Sequence, residues 1–285
     1  MIGSILSYLW QGLSATVIQI LVLFGPGLLL TLALGFEIGF IQKRAVNGMG
    51  LGWYLGLFAW LGTILHELGH AVFCILFGHK ITDMKLFHPD PQIGTLGYVK
   101  HSYNNKNVYQ LAGNFFIGIG PILLGTAVIY LLAHWLFGLN AANLGGNVSS
   151  PSQLNSWNTF TEILQSTWNS SGNWLAQIFS WQHVSGWELY VFIYVILATG
   201  SSITLSPPDI KGALGGFIVI VTSTFIVNLA TLWAGNLVSN FAIRIAGYYV
   251  FFYTTVFLIM LVNMAAALLI LLPLSLVRSR HSRVS

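Results

Sequence analysis

The chain has 285 residues, of which 55% are hydrophobic and 6% charged, far from the roughly 25% charged fraction of a soluble domain, so it reads as an integral membrane protein. A formal net charge of +4 with no basic stripe excludes a nucleic-acid footprint and assigns the small basic surplus to membrane-facing loops. Cys74 is the only cysteine, which excludes an internal disulfide framework and a cysteine-based zinc site; any metal must be held by His, Asp or Glu.

No Lys or Arg precedes Lys43, so the N-terminus lacks the positive region of a secretory signal, and the first apolar run reads as a retained helix. A helix rising 1.5 Å per residue needs about 20 apolar residues to span a ~30 Å hydrocarbon core. Six runs qualify, approximately from Ala15 to Phe40, Leu51 to Phe77, Leu111 to Phe137, Leu189 to Leu205, Leu214 to Trp233 and Tyr248 to Leu272. Gly25-Pro26-Gly27 predicts a kink or break in the first. Gly35 and Gly39, and Gly52 and Gly56, have the small-xxx-small spacing that lets helices approach closely. The expected fold is an all-α polytopic membrane protein, one membrane domain over 1–285, with a β-hairpin or extended loop after the second helix.

That hairpin lies in the segment 78–110, where Lys80 to Phe87 alternates imperfectly, Gly94 to Lys100 offers a second extended stretch, and Pro89, Asp90 and Pro91 separate them. The segment 138–187 is rich in Asn, Ser, Gly and Trp and holds no Lys or Arg; its tryptophans, Trp157, Trp168, Trp174, Trp181 and Trp187, read as interfacial or as an ordered cap. A basic tail closes the chain over 273–285. Because cytoplasmic loops collect Lys and Arg, placing the N-terminus inside puts Lys80, Lys85, Lys100, Lys106, Lys211, Arg278, Arg280 and Arg283 in the cytoplasm and leaves Lys43, Arg44 and Arg244 outside. Both termini, the 78–110 loop and the tail are then cytoplasmic, the 138–187 loop is extracytoplasmic, and the plasma membrane is the expected location.

The second run contains His66-Glu67-Leu68-Gly69-His70. On a helix, H-E-x-x-H places two imidazoles one turn apart on one face, within reach of a single zinc ion, with the glutamate beside them as general base. Ionisable groups inside a transmembrane helix are costly and mark function, and a cation compensates for three of them in five residues. A catalytic zinc takes three protein ligands and leaves a position for water, so His66 and His70 need a partner. Asp209 is the best candidate because it follows Ser206-Pro207-Pro208 after a short apolar run, where broken backbone would line a wet cavity near the cytoplasmic end of the second helix. Its bland reading is a loop carboxylate beside Lys211. Glu37 is a weaker rival, near the outer end of its helix. His79 and His88 read as loop residues and Cys74 as buried packing.

Asn114 and Asn228 lie inside apolar runs, where interhelical hydrogen bonding is the plain reading. Asn114 is the preferred candidate for contacting substrate or an oxyanion, since Gly113 would leave room for a strand to approach.

The pattern resembles the site-2 protease family of intramembrane zinc metalloproteases. The resemblance rests on Leu65 to Ala71, the extended segments that follow, Gly120-Pro121 in the next helix, and Asp209 after prolines, where Leu205 to Gly212 departs from the family's usual Asn-Pro-x-Pro-x-Leu-Asp-Gly-like run by its adjacent prolines and displaced glycine. It implies that His66, His70 and Asp209 bind Zn2+, that Glu67 acts as base, and that the site opens to the cytoplasm. No PDZ-type peptide-binding domain is visible. The expected activity is hydrolysis of a transmembrane or membrane-proximal peptide bond, with a membrane protein or peptide as substrate and no nucleic-acid partner. Three rivals remain: a metal-transporting membrane protein, which would want further ligands along a path; a catalytically silent homologue acting as a binding protein; and a prenyl-protein-processing zinc protease, which would want a downstream Glu such as Glu188.

Overall fold

The computed structural model describes residues 2–90, 95–139, 157–200, 203–234 and 237–268; the tail and the first part of the 138–187 segment lie outside these. The described chain is a helical bundle with one small sheet. In chain order it comprises α1 (Ile2–Met49), α2 (Leu51–Leu76), β1 (Lys80–Lys85), β2 (Tyr98–Ser102), α3 (Val108–Phe137), α4 (Trp157–Ile178), α5 (Trp181–Val184), α6 (Trp187–Gly200), α7 (Pro207–Thr231) and α8 (Leu237–Ala266). Four helices are long and apolar enough to cross a membrane, Ile5–Met49, Leu51–Leu76, Val108–Phe137 and Pro207–Thr231, and two shorter apolar ones, Trp187–Gly200 and Val250–Ala266, match the remaining runs.

Of the kink or break expected at Pro26, the break is absent: the proline sits inside α1 without ending it. The Tyr253 hydroxyl donates to the Leu23 carbonyl, in the turn that the proline weakens. At 48 residues α1 is about 72 Å long, more than twice the hydrocarbon thickness. It ends at Gly50, whose φ of 90° lies outside the helical region and turns the chain into α2.

The glycines that set helix spacing differ from those expected. Gly35, Gly39, Gly52 and Gly56 have no described atom within 4 Å of a Cβ position. The close approach is made instead by Gly69 of α2 against α3: a Cβ there would stand 2.6 Å from the backbone N and Cα of Pro121. Spacing alone does not show which face of a helix meets a neighbour.

The hairpin forms as expected. β1 and β2 are antiparallel, with a register shift between Ile81 and Asp83, and Tyr98 donates to the Asp83 carboxylate at 2.7 Å. α3 begins at Val108, three residues earlier than the apolar run, because Asn107 caps it by accepting from the N–H groups of Tyr109 and Gln110. Within 138–187, residues Trp157–Ile178 are helical rather than loop. Trp174 and Ile178 are buried in the core with Phe137 and Phe192, whereas Trp168, Trp181 and Trp187 are exposed; the side chain of Trp157 lies outside the described part.

The main core gathers Leu34 and Ile38 of α1, Ile129 of α3, Ile196 of α6 and Ile259 of α8. A polar clasp joins α1 to α7: Asn228 Nδ2 donates to Gln19 Oε1 and Thr16 Oγ1, each at 2.8 Å. This is the interhelical role expected of Asn228, where hydrocarbon offers no other partner.

Candidate metal centre

Three helices converge on His66, His70 and Asp209. α2 carries both histidines, and its upper part, Leu55–Ala59, is a π-turn, a feature that recurs near functional sites. α3 packs against α2 through Gly69, Gly120 and Pro121, and the Ile117 carbonyl of α3 accepts from His70 Nδ1 at 2.8 Å. That bond places the ring proton on Nδ1 and leaves the lone pair on Nε2 facing the site, the outer-shell contact that fixes a metal-ligating histidine.

α7 brings Asp209. The two prolines do not leave it in a loop: they occupy the first two positions of α7, and Asp209 stands at the third. Ser206 is the N-cap, and its hydroxyl and backbone N–H donate to Asp209 Oδ2 at 2.6 and 2.9 Å. Proline at the helix start loses no useful donor, so the Pro-Pro pair sets the direction of the turn that aims the carboxylate. Gly118 permits the approach, since a Cβ there would lie 2.9 Å from the Asp209 carbonyl.

In the resulting geometry His70 Nε2 is 3.2 Å from Asp209 Oδ1 and 3.2 Å from His66 Nε2, and His66 Nε2 is 3.6 Å from Asp209 Oδ2. One ligand atom from each residue falls within 4.8 Å of the others, and this is the one such group of His, Cys, Asp and Glu among the described residues. A tetrahedral zinc with bonds of 2.0–2.1 Å has ligand–ligand edges of about 3.3 Å, so the donor set and its spacing fit that ion.

Glu67 is buried beside the group at 6% exposure. Gly97 at the turn end of the hairpin, just before β2, lies against it, since a Cβ there would be 2.8 Å from Glu67 Cγ. Glu37 is buried in α1 and outside the His66, His70 and Asp209 group; its carboxylate has no hydrogen-bond partner among the described residues. Cys74 is fully buried, as expected of packing. His79 lies in the loop between α2 and β1, as expected, but is buried there: its Nδ1 is 3.0 Å from His101 Nδ1 and its Nε2 donates to the Gln110 carbonyl at 2.9 Å. Asn114 is buried on α3 one turn before Ile117. The room expected beside Gly113 is filled by Phe77, whose Cβ would stand 2.5 Å from an added Cβ.

Sequence reasoning missed the Ile117 carbonyl, Gly97 and the capping role of Ser206. Only the last had a signal: Ser206-Pro-Pro-Asp209 is an N-cap followed by prolines and an acidic third residue.

The fold and site together define a polytopic membrane protein with a buried His, His and carboxylate group beside a glutamate. Residues 45–140, about a third of the chain, match the family model described as Peptidase M50B-like; this stretch carries the H-E-x-x-H helix, the hairpin and α3. No curated protein and no solved structure matches the chain.

Proposed function

We propose that this protein is a zinc-dependent intramembrane endopeptidase that hydrolyses a transmembrane or membrane-proximal peptide bond of a membrane protein. The observation that carries the reading is the convergence of His66, His70 and Asp209 from two helices onto one point beside Glu67. Zinc held by these three would polarise the scissile carbonyl and lower the pKa of water toward 7.

Glu67 takes a proton from the attacking water as the new C–O bond forms, and passes it to the amine nitrogen as the C–N bond breaks. His70 is held in its ligating tautomer by Ile117, and Asp209 is held in place by Ser206. Asn114 is the candidate donor to the developing oxyanion. A substrate helix must unwind to expose a bond, and an outer edge of the two-stranded sheet offers an extended segment its hydrogen bonds. With the N-terminus inside, this chemistry faces the cytoplasm of a plasma-membrane protein.

The test is cleavage of a synthetic single-span membrane peptide by the purified, zinc-loaded protein in detergent. The wild type cleaves it and Glu67→Gln does not; full activity in Glu67→Gln sinks the mechanism.

A further inference from the structure

Cross-strand partners in the hairpin share a face, so its register sorts the side chains. Lys80 stands opposite Ser102, Asp83 opposite Lys100 and Lys85 opposite Tyr98. Ile81 with His101 and Met84 with Val99 form the other face, which carries His101 against the buried His79. Strict alternation along β1 would put Lys80 and Lys85 on opposite faces. The bulge between Ile81 and Asp83 adds one residue and brings both lysines to the same side as Lys100.

The result is a row of exposed lysines, Lys80, Lys100 and Lys85, with Asp83 among them. Asp83 is taken up within the row: it accepts from the Tyr98 hydroxyl at 2.7 Å and lies 3.8 Å from Lys100 Nζ, which also sits over the Tyr98 ring. Lys80 and Lys85, at the two ends, form no ion pair among the described residues. The Lys80 end adjoins the end of α2, where His79 N–H donates to the Cys74 carbonyl at 2.8 Å. The Lys85 end reaches the site: a Cβ on Gly97 would be 2.8 Å from both the Lys85 carbonyl and Glu67 Cγ. The row thus runs back along α2 over about 14 Å, the rise from Leu76 to Glu67 at ~1.5 Å per residue. Lipid headgroups lie in a plane across such a helix, whereas a row along it matches an extended chain leading to the base.

We propose that this row reads an acidic stretch of the substrate: an extended segment laid along the open edge of β1, with carboxylates at positions i and i+4 against Lys80 and Lys85. The bond to be cut lies beyond the Lys85 end. The spacing comes from β2, where Ser102 and Tyr98, opposite the two lysines, are four residues apart and on one face. β1 pairs with β2 on one edge only, and opposite charges facing each other across strands stabilise such pairing. The assignment to a substrate rests on the peptidase reading; the charge and spacing preference of the row does not.

Fluorescent ten-residue peptides rich in Thr and Val, with Glu, Gln or Lys at the third and seventh positions, are titrated by anisotropy onto the zinc-loaded full chain carrying Glu67→Gln, in nonionic detergent at low salt. The Glu peptide binds about fivefold more tightly than the Gln peptide, since each exposed ion pair is worth up to a few-fold, and high salt removes most of that advantage. Moving the second Glu to the sixth position turns it to the other face and cuts the advantage to about twofold. Adding Lys80→Glu and Lys85→Glu reverses the order in favour of the Lys peptide. Equal binding of the Glu and Gln peptides, or no reversal in the double variant with its thermal unfolding unchanged, overturns the row as a reader of acidic chains. If phosphatidylglycerol in the micelles then shields Lys80 and Lys85 from acetylation where phosphatidylcholine does not, the row is a headgroup site instead. Selective binding of the Glu peptide, with no cleavage by the wild type of a single apolar span carrying the same stretch, ends the peptidase reading and with it the assignment to a substrate.

Discussion

The Ser206 hydroxyl lies 2.6 Å from Oδ2 of Asp209, so the helix cap of α7 also positions the carboxylate that faces His70 through its other oxygen. Removing it should act twice. Ser206→Ala is expected to lower stability by about 1 kcal/mol through the missing cap and to weaken zinc binding by roughly 10- to 100-fold through the missing outer-shell hydrogen bond. Ser206→Thr, which keeps the hydroxyl, retains most of both. Thermal unfolding in detergent and zinc competition with a chelator measure the two effects separately, and unchanged zinc affinity in Ser206→Ala would show that Asp209 does not depend on its cap.

Gly69 tests the packing that carries the motif. A methyl group there meets Pro121 backbone, which cannot rotate away, so Gly69→Ala must separate α2 from α3. The expected cost is about 1–3 kcal/mol in unfolding free energy, and the separation stretches or breaks the hydrogen bond from His70 to the Ile117 carbonyl. Gly35→Ala, at a position with open space around it, should lie within about 0.5 kcal/mol of wild type.

Asn114 separates an oxyanion role from a structural one. If it donates to the developing charge, Asn114→Ala lowers kcat by about 10²- to 10³-fold with KM and zinc content unchanged. A loss of stability with kcat intact assigns it to helix packing instead.

The hairpin carries a pH dependence of its own. Burial holds the His101 imidazole below its ordinary range, and the nearby His79 and His70 push it the same way. The neutral ring is therefore favoured in the folded chain. The unfolded chain binds a proton first as pH falls below about 6.5, so hairpin stability is full above that value and declines as pH drops through the depressed folded value. Hydrogen-exchange protection factors of the β1 and β2 amides, corrected for the intrinsic pH dependence of exchange, should fall from pH 7 toward pH 5, and His101→Phe should flatten that trend.

The helices and the grouping of His66 with His70 are largely legible in the sequence because each depends on local pattern. Apolar runs of bilayer length locate the spans, and His66 to His70 is complete within one helical turn. Asp209 is reachable only through the Pro207-Pro208 break, and it reads as a loop residue unless Ser206 is taken as a helix cap. Trp157–Ile178 does not stand out as a helix because its polar residues interrupt any apolar run, although Trp174 and Ile178, four apart, share its buried face. Gly97 meets Glu67, and Leu96 packs against the cluster of Ala45, Tyr54 and Ala59, across long stretches of sequence that no local spacing encodes.

If His66, His70 and Asp209 form one zinc centre, the metal content of the purified full chain reports it without any substrate. Stoichiometric zinc is expected in the wild type and in Glu67→Gln, with a loss of most of it in His70→Ala and in Asp209→Ala after dialysis against a weak chelator. Zinc retained undiminished by Asp209→Ala, or absent from the wild type after loading, would contradict the account.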